Sequence, residues 1–149
     1  MILMYVYAVP KLIDINAKSR LIRGKRKLLI ISRCIEIEHP EVLNSFKDDY
    51  AIVSVCLEEE HINQVGFKLA GILVRGSYDE VAVLSVDGSP HCVQLHFMVE
   101  EVFKVTKYGA RRNHMVLSDG KVIKISGEVV KTARYLSKVN RLMARRSKS

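Results

Sequence analysis

Three cysteine–histidine pairs each follow an apolar stretch of the chain. The pairs are Cys34 with His39, Cys56 with His61, and His91 with Cys92. Thiolate and imidazole groups are the ligands that zinc and iron–sulfur centres take up in proteins. If the apolar stretches are neighbouring strands, their ends meet at one sheet edge. The spacing then predicts a zinc or iron–sulfur site built from Cys34, Cys56, His61 and Cys92.

A structural role for the cysteines is the alternative. Cysteine is among the most buried residue types and often packs as a small hydrophobic side chain. The sequence contains no C-x2-C pair, the spacing typical of many zinc and iron–sulfur sites. A third interpretation is a single reactive thiol at Cys92.

His91 and Cys92 are also the candidate catalytic residues. Both lie at the predicted start of a helix, where the positive end of the helix dipole favours a thiolate. Asp87, or a glutamate of the run Glu58–Glu60, can orient the histidine in a nucleophilic set. His96, five residues further on, projects at a different angle and is expected to pack or to meet solvent.

The turn before this helix is a candidate ligand site. Asp87 and Gly88 break an apolar run, Ser89 is a good helix cap, and Pro90 suits the first helical position. Hydroxyl and free backbone N–H groups at a helix start can bind phosphate, sulfate or a carboxylate. The residues assigned to ligand or anion binding are therefore Asp87, Gly88 and Ser89. An ordinary capped helix start is the alternative, and no G-x-G-x-x-G or G-x-x-x-x-G-K-[ST] motif is present.

The elements that position these residues alternate between strand and helix. Apolar runs predict strands at 28–32, 51–55 and 80–86, with helices at about 41–47, 59–74 and from 90 onward. This rhythm predicts a three-layer α/β domain of Rossmann-like or flavodoxin-like type with a mostly parallel sheet. Residues 1–9 read as a strand or a dispensable tail, and 11–27 as a short helix or a solvated loop.

The C-terminal third predicts a hairpin and an amphipathic helix. Asp119-Gly120 separates two strand-like segments, 113–117 and 121–125, and a helix spans about 128–144. Basic residues recur along one helical stripe while the other side is apolar, so the helix is expected to lie on the domain. With two hairpin arginines they form a candidate RNA- or DNA-binding surface: Arg111, Arg112, Lys131, Arg134, Lys138, Arg141 and Arg145. A merely solvated face is the alternative, and no helix-turn-helix, zinc-finger or RNP motif supports sequence readout.

Composition and charge limit the classes of function that are possible. At 149 residues and 48% hydrophobic, the chain suits one folded domain, with the basic segments 1–27 and 145–149 as candidate flexible ends. Three cysteines do not make a secreted disulfide framework, and nothing predicts a membrane span, so we expect a cytoplasmic protein. Residues 34–100 hold 3 basic and 12 acidic residues, a charge of −9, between flanks of +7 and +10. The flanks either fold over the acidic middle or bind a polyanion or another copy of the chain.

Three functions therefore remain open from the sequence. The first is a ligand, metal or redox site at the carboxyl edge of the sheet. The second is a nucleic-acid-associated module that uses the basic hairpin and the last helix. The third is a non-catalytic protein that assembles with copies of itself.

Overall fold

The three apolar runs form the middle of a sheet, as predicted. The computed structural model describes residues 8–147, and the runs are β1 (Lys27–Ser32), β2 (Tyr50–Val55) and β3 (Glu80–Val86). Each strand is buried along almost its whole length. Continuous rather than alternating burial is typical of parallel strands with helices on both faces.

The sheet has five strands in the order β2-β1-β3-β4-β5. The last two are β4 (Arg111–Ser118) and β5 (Lys121–Ile125), and only the β4–β5 pairing is antiparallel. The predicted hairpin is confirmed, with Asp119 and Gly120 both at positive φ, at 50° and 75°. Its first strand also pairs in parallel with β3, so the hairpin extends the main sheet instead of standing apart from it.

Helices cover both faces of the sheet. They are α1 (Arg20–Arg23), α2 (Arg33–Glu38), a 3-10 helix (Pro40–Ser45), α3 (Ile62–Arg75), α4 (Pro90–Thr106), α5 (Gly127–Ala133) and α6 (Leu136–Ser147). One core cluster lies between the sheet and α3 and α4, and a second lies between the sheet and α2 with the 3-10 helix. The three-layer α/β prediction is confirmed.

Two helical segments differ from the prediction. α2 begins directly after β1, in a stretch where no helix was expected, and the helix expected at 41–47 is the shorter 3-10 helix. The helix expected at 128–144 is two helices, α5 and α6, separated at Arg134 and Tyr135. Leu136 and Met143 of α6 are 80% and 60% exposed, so the expectation that its apolar side lies on the domain is wrong.

The described part of the N-terminal segment lies along β2. The Ser54 N–H donates to the Pro10 carbonyl at 2.9 Å, and the Leu12 N–H donates to the Ser54 carbonyl at 3.0 Å. Leu12, Ile15 and Ile22 are buried in the core. The strand predicted for 1–9 lies outside the described residues except for its last two positions. Among residues 8–147, none of the helices has the length and apolar character needed to cross a bilayer.

Replacing a central core side chain tests this sheet order. Ile30 of β1 is 0% exposed and pairs with Val53 on one side and Val83 on the other. Ile30→Ala should lower the free energy of unfolding by about 2–5 kcal/mol, because it leaves a cavity between the sheet and the helices that cover it. Ile37→Ala, at a position 71% exposed, is the matched control and should change it by less than about 0.5 kcal/mol in urea denaturation. Equal effects would contradict the central placement of β1.

Candidate functional site

The three cysteines lie around one small cavity at the carboxyl edge of the sheet. The cavity is lined by the segments that follow β1, β2 and β3, including Cys34, Cys56, Cys92 and His91. All three thiols are free. The edge is shared because β1 pairs in parallel with both β2 and β3. The cavity has a volume of about 40 Å³, enough for a few water molecules or one ion.

The thiols influence one another electrostatically. Burial raises the pKa of Cys34, and the negative charges of ionised Cys92 and Cys56 raise it further. The raised pKa keeps Cys34 a neutral thiol at neutral pH.

The predicted metal set is not assembled. Within residues 8–147, no group of three or more His, Cys, Asp and Glu side chains is positioned to hold a metal ion. His61 instead caps α3, where its Nδ1 accepts a hydrogen bond from the Asn63 N–H at 3.1 Å. His39 lies beside Glu41, with 3.7 Å between Nδ1 and Oε1. The structure thus gives no support to the expected zinc or iron–sulfur site.

Arg33 holds the thiol edge together. Its guanidinium donates to Glu59 Oε2 at 2.7 Å and to Glu60 Oε2 at 2.5 Å, and its side chain is only 12% exposed. The Glu60 carboxylate also accepts from the Cys56 N–H at 3.1 Å. These bonds join the start of α2 to the segment that follows β2. Arg33 therefore fixes the positions of Cys34 and Cys56 relative to each other.

The predicted catalytic pair occupies the start of α4. The Cys92 N–H donates to Ser89 Oγ at 3.3 Å, which confirms Ser89 as the helix cap. His91 lies beside Glu58, one of the expected orienting carboxylates, with 4.0 Å between Nδ1 and Oε2. His91 and Cys92 both line the thiol cavity, although its small volume leaves no room for an organic substrate.

A second and larger cavity lies on the other side of this turn. It has a volume of about 310 Å³ and is lined by residues 85–90 together with Val93, His96 and Val116. The predicted ligand residues Asp87, Gly88 and Ser89 therefore all border it. Gly88 has φ 93°, a conformation that glycine adopts without strain, so its backbone shapes the turn.

Beneath this cavity, five polar side chains form a continuous chain between α4 and the sheet. Ser85 Oγ lies 2.7 Å from His96 Nε2, and His96 Nδ1 lies 2.9 Å from His114 Nδ1. His114 Nε2 lies 2.8 Å from Glu100 Oε2, which also forms an ion pair with Arg112, with Nε 3.0 Å away. Ser85, His96 and His114 are 1%, 4% and 2% exposed. We call these five residues the polar chain.

The carboxylate sets the direction of the hydrogen bonds in the polar chain. Glu100 can only accept, so His114 must carry its proton on Nε2. In the tautomer in which His114 Nδ1 carries no proton, that atom accepts and His96 donates from its own Nδ1. His96 Nε2 is therefore unprotonated and accepts from the Ser85 hydroxyl. In this tautomer the Ser85 hydroxyl, the His96 N–H and the His114 N–H each donate toward Glu100 and away from the 310 Å³ cavity.

Burial keeps His96 neutral. Desolvation lowers the pKa of His96 to about 4, and the repulsion that a charged His114 would exert acts in the same direction. The imidazole is therefore uncharged at neutral pH, in agreement with the hydrogen-bond directions above.

The far end of the polar chain opens on a third cavity. Glu100, Arg112 and His114 line this cavity, which is also bordered by residues 108–111 and Gly127 and has a volume of about 400 Å³. The polar chain thus connects cavities at opposite ends of α4.

The predicted nucleic-acid residues fall into two groups. Arg111 lies 3.5 Å from Glu80, and Arg112 is paired with Glu100 and lies over the Phe103 ring at 5.0 Å. These two arginines are thus partly neutralised by the chain itself. The second group is exposed along α5, α6 and the turn between them: Lys131, Arg134, Lys138, Arg141 and Arg145.

Sequence reasoning missed the polar chain. Ser85 and His96 interrupt otherwise apolar stretches of β3 and α4, and His114 sits in a strand beside apolar residues. Such interruptions were the available signal, because a polar side chain on a buried face needs a partner. The contact between His96 and His114 depends on β4 pairing with β3, which the local pattern did not reveal.

Comparison with known proteins agrees with the fold. The family model of a Rossmann-like domain matches residues 21–148. No curated protein and no solved structure matches the chain. Since the matched segment includes all five strands and most of α1 to α6, the chain belongs to the Rossmann-like domain family.

Proposed function

We propose that this domain binds a small molecule carrying N–H or O–H groups, uncharged or positively charged, in the 310 Å³ cavity. The observation that carries the proposal is the buried Ser85–His96 pair that borders this cavity. A polar pair in a largely apolar cavity is typical of small-molecule sites, where a few polar groups fix the ligand's orientation.

The cavity beside Ser85 differs from the thiol cavity in volume. Ligand pockets in proteins typically have volumes of about 300–1,000 Å³. The cavity beside Ser85 has about 310 Å³, whereas the cavity between the cysteines has about 40 Å³. A small organic molecule fits only the first of these two.

The hydrogen-bond directions define what the ligand must offer. In the tautomer in which His96 donates to His114, the only hydrogen of the Ser85 hydroxyl is donated to His96 Nε2, so Ser85 can only accept from the cavity side. His96 is in turn held by His114, which keeps the Ser85 hydroxyl from rotating. A ligand with an N–H or O–H group satisfies Ser85, whereas a group that only accepts leaves it unpaired.

Charge favours a neutral or cationic ligand over the anion that the sequence suggested. The N-terminus of α4 contributes roughly half a positive charge. Asp87 borders the same cavity with a full negative charge when ionised, and buried His96 supplies no positive charge. Ser89 Oγ already accepts from the Cys92 N–H. The net field at the turn therefore opposes phosphate or carboxylate.

Ligand screening by NMR tests the proposal. A library of small amines and polyols should contain compounds that shift the His96 and Ser85 resonances, whereas matched carboxylates and phosphates should not. Ser85→Ala should weaken binding about three- to tenfold, the value of one hydrogen bond. Asp87→Asn should weaken the binding of amines and leave the binding of polyols unchanged, because only the amines carry a positive charge.

Ser137→Ala on the exposed surface of α6 is the matched control and should bind as the unmodified protein does. Thermal unfolding of each variant establishes that it is folded before binding is compared. Binding of anions alone, or equal binding by the Ser85→Ala variant, would refute the assignment.

The neutral state of His96 makes stability depend on pH. The pKa of His96 is about 4 in the fold against an ordinary value of 6.5, so the unfolded chain binds the extra proton between these values. The free energy of unfolding should therefore fall as pH decreases from about 6.5 to 4, by about 3 kcal/mol from this residue. Above pH 6.5 the contribution is constant.

His96→Gln should reduce this pH dependence by about one proton in urea denaturation at a series of pH values. The other titratable and charged groups on this buried face are His114, Glu100 and Arg112, and they remain present in the variant. His91→Gln, at a partly exposed side chain outside the polar chain, is the control substitution. An unchanged slope in His96→Gln would show that His96 is not held neutral.

A further inference from the structure

Helix α6 presents an uncovered apolar side. Leu136, Leu142 and Met143 are 80%, 53% and 60% exposed, and Val139 between them is half-buried. At 100° per residue these four side chains fall within one arc of the helix. Among the described elements, α6 packs mainly against α5. An amphipathic helix with its apolar side in water lacks the burial that normally stabilises such a helix.

The same chain carries an uncovered apolar groove. The groove lies between α3 and α4, has a volume of about 460 Å³, and includes Phe67 at 84% and Val105 at 73% exposure. Gly66 lies in the floor of the groove, where a Cβ would sit 3.6 Å from the Met98 side chain. A Cβ at that distance would make ordinary van der Waals contact, so the glycine leaves the groove open without relieving a clash between the helices.

We propose that α6 of one copy of the chain docks in the α3–α4 groove of a second copy. α6 has 12 residues and α3 has 14. At 1.5 Å per residue these are about 18 Å and 21 Å long, so the helix matches the length of the groove. Laying the apolar side of an amphipathic helix into an apolar groove is a common mode of recognition.

Charge favours the same docking. The exposed Glu101 lies in the lining of the groove. α6 carries Lys138, Arg141 and Arg145, with arginine concentrated toward its C-terminus. Opposite charges attract, so a basic helix is drawn to a groove that contains an exposed carboxylate.

The arrangement closes with two copies. Each chain contributes one helix and one groove, so an exchange of α6 helices satisfies both grooves by two-fold symmetry. α6 follows the turn at Arg134 and Tyr135, and Arg134 itself borders the groove. The groove and the cavity beside Ser85 are lined by different residues, although both border helix α4, so dimer formation does not depend on the proposed ligand.

Sedimentation velocity of the full chain over a roughly hundredfold range of concentration tests the proposal. The unmodified protein should form a dimer. Phe67→Glu in the groove and Leu136→Glu on α6 should each raise the dissociation constant by at least about tenfold, because each buries a charge in the apolar contact. Both positions are exposed within the monomer, at 84% and 80%, so neither change disturbs the fold.

Ile37→Glu is the matched control, since Ile37 is 71% exposed on α2, on the opposite face of the sheet, and this variant should remain dimeric. Glu101→Lys should weaken the dimer, because it replaces the carboxylate in the groove by a positive charge that repels the basic helix. A protein that is monomeric at every concentration would overturn the proposal. A dimer that resists Phe67→Glu or Leu136→Glu would overturn it as well.

Discussion

The parallel pairing of β1 with both β2 and β3 is the constraint on which the rest of the structure depends. Because these strands run in the same direction, the segments that follow them leave the sheet at one edge. That edge collects the three thiols, Arg33 and the start of α4. The next parallel strand, β4, extends the edge beyond β3 and brings Val116 to the larger cavity. The positions of both cavities follow from strand direction and order.

The polar chain is the part of the core in which an unpaired side chain would cost the most free energy. A buried hydroxyl or imidazole without a partner costs about 1–3 kcal/mol, whereas a fully paired network costs little and fixes one arrangement. Here each member has a partner, and the chain ends at Arg112, whose exposed guanidinium supplies the charge that balances Glu100. By contrast, Ser32 Oγ and Arg33 Nε at the thiol edge are buried without a partner among residues 8–147. The polar side chains under the larger cavity are all paired with one another, which supports placing the ligand there.

Local sequence patterns predicted the elements better than the contacts between them. β1 to β3 were evident because their burial on both faces leaves uninterrupted apolar runs, and Ser89 with Pro90 identified the start of α4. Strand order was not evident, because pairing of β4 with β3 joins residues about thirty positions apart. Consequently the shared edge of the cysteines could be predicted, while the meeting of His96 and His114 could not. α2 was missed because its alternation of isoleucine and glutamate lacks a helical period.

The segregation of charge along the sequence is resolved partly within one chain. Arg26 and Arg33, from the basic N-terminal flank, pair with Asp79 and with Glu59 and Glu60 of the acidic middle. Arg111 and Arg112, from the other flank, pair with Glu80 and Glu100. These pairs join the flanks to the middle, as expected if the ends fold back over it.

Helix α6 combines basic side chains with exposed apolar ones, unlike the arginines that join the flanks to the middle. Its basic residues lie beside an exposed apolar arc, and a purely solvated helix has no need of that arc. A nucleic-acid surface would use the basic stripe but leave Leu136 and Met143 in water. The proposed docking to a second copy uses both, because the groove is mostly apolar and contains the exposed Glu101. The apolar side of α6, more than its charge, therefore favours a protein partner over a polyanion.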